Sequence, residues 1–279
     1  MVDIADILEQ LAAHKTVDFA AVKCAGGDVA FSVYSDGNRE RDEAALEYLK
    51  RDRALSFLQE KDILFYTVQT SPKVWRCYEY RPVPIAPGSE AFRRLVSPWD
   101  ASESRRLIDY FAAPQSHCGM VSGGIYCFGV EYPKGREDRP ENAVWKIYFR
   151  TYFMDDEGAR IYRDKQWMQL VSGSACPPLM RLAQFAAPLL SDGFSLHMVG
   201  WNYDRLTGAC DYKLYFFRDL PAFPQASVRY LIESGACSAG VAEIFADARF
   251  SEKLALEGLA VSCSGEEGRV NFYFKERIR

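Results

Sequence analysis

Histidine is scarce in this chain of 279 residues, which has three. His14 ends the first helical stretch, where interaction with the helix dipole accounts for it. His117 precedes an extended segment and His197 stands beside Met198. None has a nucleophile at a readable spacing, so a catalytic triad is unsupported. The eight cysteines, Cys24, Cys77, Cys118, Cys127, Cys176, Cys210, Cys237 and Cys263, stand singly. With no CxxC pair and no Cys/His cluster, zinc spacing is absent.

No run approaches the eighteen apolar residues that a membrane-spanning helix needs. The opening MVDIADILEQLAAHK carries acidic residues every few positions and no basic n-region, so it does not read as a signal peptide. There is no excess of basic residues either: 34 Lys and Arg face 38 Asp and Glu, for a net charge of −4. Without a broad positive field, binding to nucleic acid or an anionic membrane is not expected, and any anion site must be built locally. Gly26-Gly27 and Gly123-Gly124 fit neither the Walker nor the dinucleotide fingerprint. What remains is the expectation of a soluble cytoplasmic protein whose thiols stay reduced and behave as small buried hydrophobes.

What the chain does have is core material, at 48% hydrophobic residues, and aromatics: 18 Phe, 16 Tyr and 5 Trp. Tyrosine suits pleated, half-buried surfaces. An amphipathic helix is expected over the first fifteen residues, with Val2, Ile4, Ile7, Leu8 and Leu11 at helical spacing. Extended segments from Thr16 to Tyr34 are broken at Ala25-Gly26-Gly27-Asp28, which reads as a hairpin. Helical spacing returns over 40–59.

Four more extended pairs follow. They are ILFYTVQ (63–69) with VWRCYEY (74–80), GMVSGGIYCFGVEY (119–132) with AVWKIYFRTYF (143–153), FSLHMVGWNY with ACDYKLYFF, and ALEGLAVSCS with RVNFYFKER. Pro72 belongs in the first of their turns, and the charged PKGREDRPEN is an exposed connection. Helical segments separate them, through FRRLV and ASESRRLIDYFAA, over 161–191 with an interruption at Pro177-Pro178, and over roughly 224–248. Five hairpins in one chain give about 56 residues per unit. Tight turns make each pair antiparallel, and closing ten strands removes the exposed edges while helices cover one face. The expected fold is α+β: one domain over 1–279, a ten-stranded antiparallel β-barrel of five helix-flanked hairpins, with helices outside and a polar, aromatic lumen.

The second strands of four hairpins superimpose: Trp75-Arg76-Cys77-Tyr78, Trp145-Lys146-Ile147-Tyr148-Phe149, Tyr212-Lys213-Leu214-Tyr215-Phe216 and Val270-Asn271-Phe272-Tyr273-Phe274. Strand side chains alternate faces, so Trp145, Ile147 and Phe149 point one way and Lys146, Tyr148 and Arg150 the other. With the apolar row under the helices, Arg76, Tyr78, Lys146, Tyr148, Arg150, Lys213, Tyr215 and Tyr273 are expected to line the lumen. In the first hairpin Ala30, Ser32 and Tyr34 take that face. Converging cations and phenols suit a compact anion that carries an apolar group, such as a diphosphate ester. The competing reading is a flatter sheet whose Lys and Tyr face solvent.

At these residues the chain resembles the ABBA-type prenyltransferases, whose barrel has ten antiparallel strands in five helix-flanked hairpins. Ser122-Gly123-Gly124-Ile125, the Lys146-x-x-x-Arg150 spacing, Val199-Gly200-Trp201 and Val17-Asp18 are further local similarities. The chain stops about five residues after Phe274, an economy that is most similar to the cyanobactin-type peptide prenyltransferases, where a short end leaves one barrel mouth open. The resemblance implies a dimethylallyl or geranyl diphosphate donor and a peptide acceptor, taken up by a monomer.

By the same resemblance, Arg76, Lys146, Arg150, Lys213 and Asn271 bind diphosphate, and Tyr78, Tyr148, Tyr215 and Tyr273 shield the carbocation. Asp18 engages the acceptor and takes its proton, with Ser32, Tyr34 and Trp201 nearby in the acceptor pocket. The family often has a basic residue on the second strand of hairpin one, which this chain lacks. Lys23 is the alternative, and Asn271 stands where a cation is expected. Mg²⁺ can accompany the diphosphate, although Asp155-Asp156-Glu157 is no DDxxD motif and reads as a solvated loop. A small aromatic acceptor, or a non-catalytic barrel that binds an anionic lipid-like ligand, are the alternatives.

Overall fold

Val144–Arg150 alternates bulky apolar and polar side chains, so as a strand it can offer one face to a core and the other to a different environment. That division runs through the whole molecule. A computed structural model describes residues 4–12, 19–25, 28–34, 64–70, 73–79, 85–100, 104–113, 115–117, 120–133, 139–150, 168–169, 171–217, 225–264 and 267–276. The first elements are α1 (Ile4–Ala12), β1 (Phe19–Ala25), β2 (Asp28–Tyr34), β3 (Leu64–Thr70) and β4 (Lys73–Glu79). Then come α2 (Glu90–Val96), α3 (Ser104–Ala112), β5 (Gln115–His117), β6 (Met120–Ser122), β7 (Cys127–Pro133) and β8 (Val144–Arg150). The rest are α4 (Pro177–Ser191), β9 (Ser195–Asp204), β10 (Cys210–Phe217), α5 (Gln225–Glu233), α6 (Gly240–Ala246), α7 (Ala248–Lys253), β11 (Leu254–Ser264) and β12 (Glu267–Glu276).

Ten strands form one sheet in the order β2-β1-β12-β11-β10-β9-β8-β7-β4-β3, and every ladder in it is antiparallel. The five hairpins are all present as sequential pairs; from the second hairpin onward each joins the next in chain order, and β12 returns to pair with β1. At the two ends β2 and β3 run close together, although no ladder between them appears among the described residues.

The third hairpin is shorter than expected. Residues 119–132 do not form one strand, because the chain breaks at Gly123 and Gly124, whose φ angles are +144° and +78°. A Cβ on Gly124 would stand 2.1 Å from the Ile85 carbonyl oxygen, in the bridge where Ile85 pairs with Ile125. Only β7 enters the main sheet, and β6 pairs instead with β5.

The helical stretch expected over 224–248 is three helices, α5 to α7. In α4, Pro177 and Pro178 occupy the first turn, where a missing N–H costs nothing, so they start the helix rather than interrupt it. The helix expected over 40–59 lies outside the described residues, as do the Asp155-Asp156-Glu157 loop and His14.

The helices lie on one face of the sheet. α4 packs on β9, β10 and β11 through Leu179, Leu182, Phe185, Ala186 and Leu189, which recur at helical spacing. Trp201 is 1% exposed and meets Phe149 and, from α3, Phe111 at ring separations of 5.5 and 5.9 Å. Phe245 of α6 and Phe250 of α7 both pack on Phe274, and Phe245 also meets Phe272. Among the described residues, no helix is long and apolar enough to cross a membrane. Cys24, Cys127, Cys237 and Cys263 are buried and Cys176 and Cys210 partly exposed, and none of these six is in a disulfide.

Candidate active site

On the face away from the helices lies a second, smaller cluster of buried residues, Cys127, Tyr148, Tyr215 and Ala260, with Tyr126, Met198, Phe217 and Tyr273 packed against it. The strand register explains which side chains meet there, since directly opposed residues share a face. One cross-strand row runs Arg150, Met198, Tyr215, Ala260, Asn271, Lys23. The next runs Cys127, Tyr148, Gly200, Lys213, Ser262, Arg269. A third runs Gly129, Lys146, Asn202, Asp211. Tyr273 is opposed to Gly258 and Ala21, and Ala21 in turn to Ser32.

In the second of these rows large side chains alternate with small ones, so that a ring or cation can lean over its neighbour. Gly200 shows the need for it. The Tyr148 ring lies over that position so closely that a Cβ would stand 3.0 Å from two of its carbons.

Three tyrosines form a continuous wall. Tyr148 and Tyr215 meet edge to face at 5.7 Å, while Tyr215 and Tyr273 stack at 6.0 Å. Lys213 stands over them, its Nζ 4.9 Å from the Tyr215 ring centre and donating to the Tyr273 oxygen at 3.2 Å. Asn271 joins this group in either amide orientation. Its Nδ2 donates to the Tyr273 oxygen at 3.3 Å, or, with the amide turned, its Oδ1 accepts from Lys213 Nζ at 2.7 Å. Burial pushes the Tyr273 phenol above its ordinary value, against the opposing pull of hydrogen bonds from Asn271 and Tyr215 and of the Lys146 charge. Tyr273 therefore keeps its proton at neutral pH and can donate it in a hydrogen bond.

Arg150 stacks its guanidinium over Tyr126 at 4.8 Å. Lys146 forms an ion pair with Glu131 at 2.6 Å, with side-chain exposures of 15% and 11%. At the turn end of the sheet Arg269 pairs with Glu267 at 3.3 Å and approaches Asp211 at 3.9 Å.

The structure places Lys146, Tyr148, Arg150, Lys213, Tyr215, Asn271 and Tyr273 on this one face, and Lys23 joins them directly opposite Asn271. Ser32 and Tyr34 hold the inner register positions of β2, opposed to Ala21 and Phe19. Asp18 lies outside the described residues.

Three expected positions differ. Arg76 is in register with Val130 and Tyr78 with Phe128, and these rows continue into Trp145 and Ile147 under the helices. The β4 residues in register with the inner rows are Trp75, Cys77 and Glu79, against Glu131, Gly129 and Cys127. Aligning Trp75 with Trp145 by motif is one residue off the ladder, and a slip of one residue exchanges the faces. Trp201 belongs to the helix-covered core, because it is opposed to Ile147 and Tyr212 rather than to the lysines.

Sequence reasoning missed Glu131 and Arg269. The signal for Glu131 was present in Cys127-Phe128-Gly129-Val130-Glu131. Phe128 and Val130 are wholly buried outward, so Glu131 must turn inward.

No protein-family model matches the chain, and no curated protein matches it. Among solved structures it is similar to AnaPT from Neosartorya fischeri, with a TM-score of 0.56 and 12% identity over 92% of this chain and 77% of that one. It is similar also to NotF prenyltransferase, with a TM-score of 0.55 and 9% identity over 92% of this chain and 80% of that one. The chain therefore shares the fold of these solved structures, and in it the ten-stranded antiparallel sheet carries the described helices on one face.

Proposed function

We propose that this chain is a prenyltransferase, which moves a dimethylallyl or geranyl group from its diphosphate to a nucleophilic side chain of a peptide by electrophilic alkylation. The observation that carries the reading is the grouping of Lys213, Asn271 and Tyr273 beside the Tyr148, Tyr215 and Tyr273 wall, in a fold shared with a prenyltransferase. In this reading β2 and β3 close the sheet into a barrel, for which their proximity and the chain-ordered succession of hairpins are the support. Residues 1–279 act as one domain, as a monomer in the cytoplasm.

The reaction begins when the allylic carbon–oxygen bond breaks and the diphosphate leaves with the electron pair. Charge grows on the departing oxygens, where Lys213, Lys146, Arg150 and Lys23 offer fixed cations and Tyr273 and Asn271 offer hydrogen bonds. Donors already in place hold this charge with little reorganisation. The allyl cation is left against the faces of Tyr148, Tyr215 and Tyr273, which stabilise it and keep water away. The acceptor then forms the new bond and loses a proton, for which Asp18 is the proposed recipient. Among the described residues no three His, Cys, Asp or Glu side chains gather as metal ligands, so Mg²⁺ would enter on the diphosphate oxygens. The aromatic wall would also line a slot for a small aromatic acceptor, which is the second reading.

The test is mass spectrometry of the protein with both diphosphates and a mixed panel of linear peptides, cyclic peptides, indoles and phenols. A gain of one isoprenyl unit on a peptide supports the first reading, and a gain on free indoles or phenols alone supports the second. No gain on any acceptor, with pyrophosphate still bound, points to a non-catalytic barrel.

A further inference from the structure

Phe272 of β12 packs against Phe245 of α6, with ring centres 4.9 Å apart. Four residues back on the same face of the strand, a Cβ on Gly268 would stand 3.3 Å from the Cβ of Ala236, in the connection between α5 and α6. Val270 falls between these two contacts, so the chain that runs from Ala236 into α6 passes over it. Cys24 of β1 is directly opposed to Val270, and it shares the helix-covered core with Cys237, the residue after Ala236. The two cysteines are more than two hundred positions apart in the chain, yet they meet here at 1% and 4% exposure.

Local hydrogen bonds fix both sulfurs. The Ala236 and Cys237 amides both donate to the Leu231 carbonyl at 3.0 Å, a helix end that Gly235 permits at a φ of +74°, and Cys237 is thereby anchored to the last turn of α5. Cys237 Sγ donates to the Ser238 carbonyl at 3.6 Å, while the Ser238 amide donates to the Cys24 sulfur. The two peptide groups of one residue thus bracket the pair, and the thiols hydrogen-bond each other. The bond from Cys237 holds the Cys24 thiol below its ordinary value against the effect of burial, with the Ser238 amide assisting. The same bond, and then burial, push Cys237 up. One sulfur is prepared as a thiolate beside a second that keeps its proton.

We propose that Cys24 and Cys237 are a peroxide-oxidised pair whose disulfide ties β1 to the α5–α6 connection. The Cys24 thiolate attacks one oxygen of hydrogen peroxide, the O–O bond breaks, and the other oxygen leaves as hydroxide, which takes the Cys24 proton and becomes water. Cys24 is then a sulfenic acid. The Cys237 sulfur displaces its oxygen, the S–S bond forms, and a second water carries off the Cys237 proton. Two thiols are oxidised and one peroxide is reduced to two waters. β1 closes the ladder with β12 and places Lys23, on its other face, opposite Asn271, so the bond secures that side of the sheet against opening. Cys263, opposed to Gly268 on β11, stands two strands from Cys24, about 10 Å, which is beyond disulfide reach without backbone movement.

The experiment treats the full chain with hydrogen peroxide near pH 7.5 and maps its non-reduced tryptic peptides by mass spectrometry. Wild-type protein is expected to yield a peptide pair joined through Cys24 and Cys237. Its Tm is expected to rise by roughly 5–15 °C and to return on reduction with dithiothreitol. Cys237→Ser is expected to show neither the link nor the rise, and its Cys24 goes on to sulfinic acid because no second thiol intercepts the sulfenic acid. Cys24→Ala serves the comparison if Cys237→Ser does not fold. Oxidation confined to Cys176 and Cys210, or a link from Cys237 to Cys263, overturns the pairing. A link between Cys24 and Cys237 that leaves Tm unchanged overturns the role of the bond in securing β1.

Discussion

Replacing Lys213 by methionine separates a diphosphate-binding role from a structural one, because the stem is kept and only the ammonium goes. Lys213 donates one hydrogen bond to Tyr273 at 3.2 Å and sits 4.9 Å from the Tyr215 ring centre. Losing these contacts is offset by no longer holding a cation partly away from water, so stability is expected to change by no more than about 1 kcal/mol. For pyrophosphate the variant loses one charge-assisted hydrogen bond, worth about 1.5–3 kcal/mol. That converts to a roughly 10- to 150-fold weaker Kd. For the reaction the loss is larger, about 10²–10³ in kcat, because the charge on the leaving oxygens grows in the transition state. The assays are pyrophosphate titration calorimetry, thermal melting and prenyl transfer on whichever acceptor the panel yields, with Lys253→Met on the exposed end of α7 as the charge control. A Kd within twofold of wild type refutes the placement of diphosphate at Lys213. So does a Tm drop that accounts for all lost activity.

Trp201→Ala is expected to cost about 3–5 kcal/mol of stability, read as a lower urea midpoint, with pyrophosphate affinity unchanged, since the ring lies in the helix-covered core. Gly200→Ala pushes a Cβ to 3.0 Å from the Tyr148 ring, which must turn away from the wall. The expected result is more free prenyl alcohol per prenylated product as water reaches the cation, and an unchanged ratio would remove Tyr148 from the shield. Burial raises the Tyr212 phenol, against a hydrogen bond from Ser104, and raises that of Tyr273 as well. Their contribution to stability is complete below the unfolded value of about 10 and is lost as pH climbs through the higher folded values, so Tm falls between pH 10 and higher pH. Tyr212→Phe is expected to make that fall shallower.

Most of the framework is legible in the sequence because it rests on period and turn chemistry. Lys146, Tyr148, Lys213, Tyr215 and Tyr273 could be put on one face because each lies between residues that must be buried. Register is a different kind of information. Arg76 shares a local motif with Lys146, yet its face depends on which β7 residue it opposes, and the pairing of Arg76 with Val130 is fixed between strands about fifty residues apart. Trp201 illustrates the same limit, since a tryptophan next to a glycine suits a pocket as well as a core. The break at Gly123 and Gly124 follows from the close approach of Ile85, a tertiary contact that no local pattern announces. Lys146 is visible as a cation in the sequence, whereas its bond to Glu131 appears only when β7 and β8 are laid side by side.

The return of β12 to β1 sets a timetable for biogenesis. Every other ladder of the large sheet joins strands that follow one another in the chain, apart from the short β5 and β6 excursion, but Lys23 must find Asn271 at the far end. At a synthesis rate of roughly 5–20 residues per second, β1 waits about 12–50 s on the ribosome with one edge unpaired. Its Ala20, Ala21 and Val22 are wholly buried in the finished protein, so this small apolar edge is the segment for which a chaperone would compete during that interval.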